Sequence, residues 1–277
     1  MADLLALFGL GFMQRALIAG LLAAALCSVL GVFIVLRRTA FLGDALAHTA
    51  FGGMALGLFL GVFPTYVALA VVVLGAVAIE VLRARGVYGE LSVALIYAAG
   101  LAGGIVLVSK SGGLNVSLIS LLFGQILTVT WPDVYLIGLL FAAGVSVLLL
   151  FYKEYFLLTF DPEGARVAGV PARSLDLSFT ILTAVTVVLA IKVVGILLVA
   201  ALLVVPPAAA LQLRLGLRAT IAASLVIAIV SVVGGIVLSV VFITATGGTI
   251  VLVALLIFFV LLVTGTERAR PSRGPTA

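Results

Sequence analysis

Long hydrophobic runs separated by short polar gaps form the main pattern along this chain. Nine runs are about 16–24 residues long, the length that a helix needs to cross a hydrocarbon core of about 30 Å. The pattern therefore predicts an all-α fold, a polytopic bundle of about eight or nine transmembrane helices. The nine predicted spans cover residues 13–36, 41–61, 65–82, 90–109, 133–151, 175–191, 193–212, 219–242 and 249–264.

Two further apolar stretches are too short to span a bilayer. Residues 2–12 are interpreted as an interfacial helix. The apolar piece at 118–129 is interpreted as a re-entrant or laterally packed segment, whose backbone needs protein or water around it. Counting this piece as a span would reverse the direction of every later helix.

Composition supports the membrane interpretation. The chain of 277 residues is 65% hydrophobic and 9% charged, whereas soluble domains carry about 25% charged residues. We therefore expect one transmembrane domain over residues 1–277, with a long polar loop at 152–174 and a tail at 265–277. The single cysteine, Cys27, excludes a disulfide framework within the chain.

The basic residues predict how the chain crosses the membrane, because lysine and arginine accumulate in cytoplasmic gaps. If Arg37 and Arg38 are cytoplasmic, 12 of the 15 basic residues fall on the same side. The exceptions are Arg15, Lys110 and Lys192, and Lys192 is interpreted as reaching up to the outer surface. This arrangement puts the N-terminus outside and the C-terminus in the cytoplasm. The net charge of +5 is thus a topology signal rather than a nucleic-acid signal.

The 152–174 loop contains signals for a short helix. Asp161 is suited to the N-cap and Pro162 to the first helical position, with Glu163 in the first turn. Gly169 and Pro171 favour a helix end. About two turns of helix are unstable alone in water, so this helix needs a partner surface, either in this chain or in another.

The chemistry of the chain concentrates in the second span. Asp44 and His48 are four residues apart and therefore share one helical face. His48 is the only histidine in the sequence. An ionisable group at membrane depth costs roughly 2.5–3.5 kcal/mol, which makes it a functional hypothesis. A carboxylate and an imidazole one turn apart can bind a divalent cation. The alternative is a hydrogen-bonded pair that fixes helix packing or lines a wet cavity.

A row of small residues runs beside this pair. Small side chains at every fourth position allow a neighbouring helix to approach closely. The predicted packing row consists of Ala45, Thr49, Gly53, Gly57 and Gly61.

The sequence contains no G-x-x-x-x-G-K-[ST] loop, so the chain does not bind ATP through a P-loop. It also shows no nucleophile paired with a base. We therefore do not expect this subunit to be an enzyme.

The stretch at 41–48, FLGDALAH, follows Arg37 and Arg38 and resembles the signature of the membrane permeases of zinc, manganese and iron ABC importers, the ABC-3 family. Further stretches resemble that family in the same order: 13–17, 161–170, 192–206 and 248–252. One departure stands before the last span. The family commonly has an Asp-x-Pro-x-Gly pattern there, whereas residues 243–247 read ITATG.

The resemblance implies an importer in a prokaryotic plasma (inner) membrane. It would contain two copies of this permease, two copies of a cytoplasmic ATP-binding subunit, and an extracytoplasmic metal-binding protein. Asp44 and His48 would contact the transported zinc, manganese or iron during alternating access at the homodimer interface. ATP would bind to the partner, with no cofactor held permanently here. The residues implied in coupling to the ATPase are Asp161, Pro162, Glu163, Ala165, Arg166 and Gly169.

Two other functions remain open at this stage. One is a secondary transporter in which Asp44 and His48 relay protons. Such transporters often contain inverted repeats, and no second Asp-x-x-x-His occurs in this sequence. The other is a membrane scaffold in which the pair is structural.

Overall fold

The computed structural model of the protein describes residues 11–110, 129–242 and 244–267. These residues form eleven α-helices and no strand, which confirms the all-α prediction. The helices are α1 (Gly11–Leu36), α2 (Phe41–Phe59), α3 (Pro64–Ala84), α4 (Gly89–Lys110), α5 (Trp131–Leu150), α6 (Tyr152–Phe160), α7 (Pro162–Val167), α8 (Ala172–Val194), α9 (Ile196–Leu211), α10 (Leu217–Phe242) and α11 (Thr246–Glu267). The 2–12 and 118–129 predictions lie almost entirely outside the described residues.

Within the described ranges, seven helices are long and apolar enough to cross a membrane: α1, α3, α4, α5, α8, α10 and α11. The predicted count of eight or nine is slightly higher, because it includes α2 and α9. The polar Asp44 and His48 lower the mean hydropathy of the 19-residue α2. Helix α9 is strongly apolar but only 16 residues long.

The break between α8 and α9 lies three residues beyond the predicted one. Lys192 was expected to separate two spans, but α8 continues through it to Val194. The chain turns at Gly195, whose φ of 89° and ψ of 159° place it in a region that is essentially restricted to glycine. Helix α8 therefore ends at Gly195, because a residue without a Cβ can adopt this conformation.

The core lies around α1 and α8, which are the most buried of the long helices. Helix α1 packs against α5, α8, α9 and α10, whereas α2 packs mainly against α3 and α4. Helix α11 lies at the periphery, and only 17% of its most apolar stretch is buried. Broad apolar surfaces on the peripheral helices are what a lipid environment requires.

Two ion pairs connect helices at the two ends of the bundle. At the end where α1 finishes, here called the basic end, Arg37 Nη1 lies 2.8 Å from Asp176 Oδ1 of α8. At the opposite end, Lys192 Nζ lies 2.5 Å from Asp133 Oδ1 of α5. The Asp133 carboxylate also forms a capping box with Thr130 at the start of α5. Lys192 is thus half-exposed as expected, but it is also paired.

Candidate functional site

Helix α2 is buried on most of its circumference, because α3 and α4 cover one side and α8 and α9 approach the other. In its first three turns the less buried residues are Phe41, Asp44, His48 and Phe51. Their spacing of three, four and three residues places them on one face. The Asp44 side chain is 32% exposed and the His48 side chain 20%. The predicted pair therefore lies on the open stripe of a helix whose first three turns are otherwise enclosed.

The hydrogen bonding of His48 determines which ring nitrogen is free. His48 Nδ1 lies 3.0 Å from the backbone carbonyl oxygen of Asp44 and 3.4 Å from Asp44 Oδ1. Because a carbonyl oxygen can only accept, Nδ1 carries the hydrogen and donates it. In the neutral ring, Nε2 then keeps its lone pair, which is the form that binds a metal ion.

Tyr97 of α4 is a neighbour that the sequence analysis did not identify. Its ring centroid lies 4.7 Å from that of His48, with a tilt of 60° between the planes, and 5.2 Å from that of Phe41. Tyrosines of membrane proteins are enriched at the interfaces, whereas Tyr97 lies within the apolar run of α4. That unusual position is the feature of the sequence that could have identified Tyr97.

In the part of the chain that the structure describes, the pair does not connect α2 to another helix by hydrogen bonds. Across the described residues, the hydrogen bonds and ion pair of the Asp44 and His48 side chains stay within α2. Interhelical polar side chains that stabilise packing bond across helices instead. The described residues also contain no group of three or more His, Cys, Asp or Glu side chains suited to a metal. One chain therefore offers a carboxylate and an imidazole at this site.

The predicted packing row faces α3 over most of its length. Ala45, Thr49, Gly53 and Gly57 are buried. A Cβ on Gly53 would lie 2.6 Å from Ala68 Cα, and one on Gly57 would lie 2.7 Å from Pro64 Cα. Gly61 lies beyond the end of α2, in an exposed turn with a φ of +66°.

A second close contact, between α2 and α4, was not predicted. A Cβ on Gly52 would lie 2.5 Å from the Gly100 carbonyl oxygen, and one on Gly100 would lie 2.6 Å from Thr49 Cα. Gly100 is three residues from Tyr97, so this backbone approach positions the tyrosine against His48. Gly100 and Gly104 repeat the four-residue spacing of small residues, which was the signal in the sequence.

The predicted short helix is present as α7, with the expected start and end. Asp161 Oδ1 accepts a hydrogen bond of 2.8 Å from the backbone N–H of Gly164, and Pro162 occupies the first turn. Gly169 follows the helix with a φ of +76°. Ala165 is buried, while Glu163 and Arg166 are exposed.

Helix α7 lies beside a basic cavity of about 430 Å³. Arg83, Arg166 and Arg173 line this cavity together with the carboxylate of Glu80. Glu80 Oε1 accepts hydrogen bonds from Arg83 at 2.8 Å and from Thr180 Oγ1 at 2.7 Å. Val167, at the end of α7, is 91% exposed. One side of α7 thus packs on its own protein, and the other presents charged and apolar groups outward.

The apolar helices, together with an ionisable pair on the open stripe of α2, define a polytopic membrane protein with a polar site among its apolar helices. Residues 10–265 match the model of the ABC 3 transport family. The chain belongs to this family, whose members act as membrane permeases of ABC transporters.

Several similar proteins are named as membrane proteins of metal transport systems. The high-affinity zinc uptake system membrane protein ZnuB of Haemophilus influenzae is 32% identical, over 88% of this chain and 94% of that protein. The manganese transport system membrane protein MntC of Halalkalibacterium halodurans is 32% identical, over 91% and 87%. A chain of the solved structure of PsaBC from Streptococcus pneumoniae in complex with Fab aligns with a TM-score of 0.82 at 27% identity, covering 94% of both chains.

Proposed function

We propose that this chain is the permease subunit of an ATP-driven importer of divalent metal ions, and that Asp44 and His48 contact the ion directly. The observation that carries this proposal is the position of the pair on the open stripe of α2, whose first three turns are otherwise buried. The ABC family membership and the zinc and manganese relatives support the choice of cargo. The same membership disfavours a secondary transporter driven by a proton relay.

The pair offers two ligands, the Asp44 carboxylate and His48 Nε2. Zinc, manganese and iron all accept this combination of oxygen and nitrogen. Two ligands leave such an ion under-coordinated, so a second copy of the chain, facing the first across the open stripe, would supply two more. A homodimer that opens alternately to either side of the membrane then carries the ion along the interface.

The orientation and the partners follow from the two ends of the bundle. The basic end faces the cytoplasm, because it collects most of the arginines. The ATP-binding subunit docks there on α7, through the exposed faces of Glu163, Arg166 and Val167. Asp161, Pro162 and Gly169 fix the two ends of this helix, and Ala165 anchors it to the permease. The opposite end receives metal from an extracytoplasmic binding protein.

Metal uptake by two variants tests the proposed site. Asp44→Asn keeps the shape of the side chain and removes its charge, and His48→Ala removes the nitrogen ligand. We expect uptake of zinc, manganese and iron, measured in parallel, to fall about tenfold or more in either variant, since the loss of even supporting groups at metal sites costs 10- to 100-fold. Assembly with the ATPase should persist. Uptake should also fall as the pH is lowered and the imidazole gains a proton, because a metal ligand must be deprotonated.

Two matched controls separate metal contact from packing. Glu90→Gln removes an exposed carboxylate from the first turn of α4, and Tyr88→Ala removes an aromatic ring that is 83% exposed and lies outside α2. Both should retain uptake. Normal uptake by well-folded Asp44→Asn and His48→Ala proteins would refute the site.

A further inference from the structure

A groove at the basic end lies apart from the site described above. It has a volume of about 770 Å³, and its walls come from α1, α5 and α10, with α6 at its end. None of α2, α3 and α4 lines it. The apolar walls include Val29, Phe33, Phe141, Val145, Ile221 and Leu225.

The end of this groove carries charged groups. Lys153, Glu154 and Arg218 line it beside Tyr152, and the guanidinium carbon of Arg218 lies 5.5 Å from the centroid of the Tyr152 ring. Within the described part of the chain, neither Lys153 nor Arg218 forms an ion pair. Two cations and one carboxylate leave an excess of one positive charge, next to an apolar wall made by membrane helices.

We propose that this groove binds an anionic phospholipid, with its phosphate at Lys153 and Arg218 and an acyl chain along α1, α5 and α10. Basic residues at the membrane surface attract anionic headgroups, and basic pockets between transmembrane helices bind them. A guanidinium can hold two phosphate oxygens at once. The lipid proposal rests on the proposed function in one respect, the orientation of the chain in the membrane. That orientation places the lipid headgroup in the cytoplasmic leaflet.

Other parts of this chain fit the groove poorly. Residues 1–10 and 111–128 join the bundle at Gly11, Lys110 and Val129, all at the opposite end. The segment 268–277 joins at the basic end, but it contains three arginines and no acidic residue. Its charge is repelled by Lys153 and Arg218, whereas a phosphate complements both cations and an acyl chain complements the apolar walls.

Lipid binding to the purified full-length chain in detergent tests the proposal. Phosphatidylglycerol, phosphatidylcholine and inorganic phosphate are titrated separately, and bound molecules are counted by native mass spectrometry. Lys153→Gln/Arg218→Gln should weaken phosphatidylglycerol binding about fivefold for each charge removed. The control Arg85→Gln/Arg214→Gln makes the same charge change at the same end, outside the groove, and should bind like the wild type. Equal losses in both double variants would overturn the proposal, because they indicate a diffuse surface attraction.

A second arm tests the apolar wall and does not depend on the charged variants folding. Val145→Trp fills the groove and should abolish phosphatidylglycerol binding, while Leu139→Trp, on the lipid-exposed surface of the same helix, should not. Wild-type binding by a monodisperse Val145→Trp protein would overturn the proposal. So would inorganic phosphate that binds as tightly as phosphatidylglycerol, because the site would then be one for a small anion. These binding measurements use neither metal nor the ATPase. If they contradict the lipid proposal while metal uptake still depends on Asp44, only the lipid proposal has failed.

Discussion

Arg37 shows how a single residue joins three helices. Its Nη1 donates to Asp176, its Nε donates to Thr159 at 3.1 Å, and its guanidinium carbon lies 5.0 Å from the centroid of the Phe179 ring. The Arg37 side chain is only 15% exposed, whereas that of Asp176 is 38% exposed. Nearby, burial raises the pKa of the Tyr155 phenol above its usual value. Losing its ion-pair partner therefore costs the buried Arg37 guanidinium more free energy than it costs the more exposed Asp176 carboxylate.

This asymmetry predicts the order of two substitutions. Asp176→Ala leaves a mostly buried guanidinium without its carboxylate and should destabilise the protein by about 1–3 kcal/mol. Arg37→Met places an apolar side chain among aromatic rings and leaves a carboxylate that water can reach, so its cost should be smaller. Thermal unfolding in detergent measures both. The double variant should be more stable than Asp176→Ala alone, and a double variant with additive losses would contradict this reasoning.

The contact between α2 and α4 makes a prediction at the scale of the element. Gly100→Ala would bring a Cβ to 2.6 Å from Thr49 Cα. Because backbone cannot yield as a flexible side chain does, α4 must shift, at a cost of about 1–3 kcal/mol. Tyr97 moves with α4 away from His48, so metal uptake should fall together with thermal stability.

Gly103→Ala is the matched control, on the same helix and with nothing within 4 Å of the added Cβ. It should be neutral or stabilise by up to about 1 kcal/mol, since alanine favours helix over glycine. Equal stability of the Gly100→Ala and Gly103→Ala proteins would mean that the contact at Gly100 does not hold α2 and α4 together.

The end of α7 gives a second prediction for an element. Gly169 has a φ of +76° and open space around it, so Gly169→Val introduces backbone strain of about 1–2 kcal/mol without a steric clash. Stimulation of the partner's ATP hydrolysis should weaken, because α7 no longer ends in the same geometry. Gly216→Val is the control, since Gly216 also has open space but no positive φ. Full stimulation in the Gly169→Val complex would exclude α7 from coupling.

Local chemistry explains which elements could be predicted from the sequence. Bilayer thickness dictates the length of a hydrophobic run, so the long apolar helices were predicted. Asp161, Pro162 and Gly169 act on their own backbone, so α7 was predicted too. The pairing of Lys192 was not predicted, because its partner, Asp133, is 59 residues away. Tyr97 was missed for the same reason: only the packing of α4 on α2 brings it to His48.

For the whole molecule, the charge distribution predicts the orientation in the membrane. Cysteines at positions 38 and 62 lie in gaps at opposite ends of the bundle, and Cys27 is buried and is replaced by serine for this test. An impermeant thiol reagent added to intact cells should label position 62 and leave position 38 unlabelled until the membrane is opened. The reverse pattern would invert the proposed direction of transport and the side on which the ATPase docks.

The turn at Gly195 has a consequence for how the gene can vary. Its backbone conformation is essentially closed to residues with a Cβ, and every amino-acid replacement there adds one. No conservative change exists at this codon, so a saturation library selected for metal uptake should be depleted of all missense variants at 195. At Gly216, where the backbone conformation is ordinary and space is open, the same library should tolerate many of them.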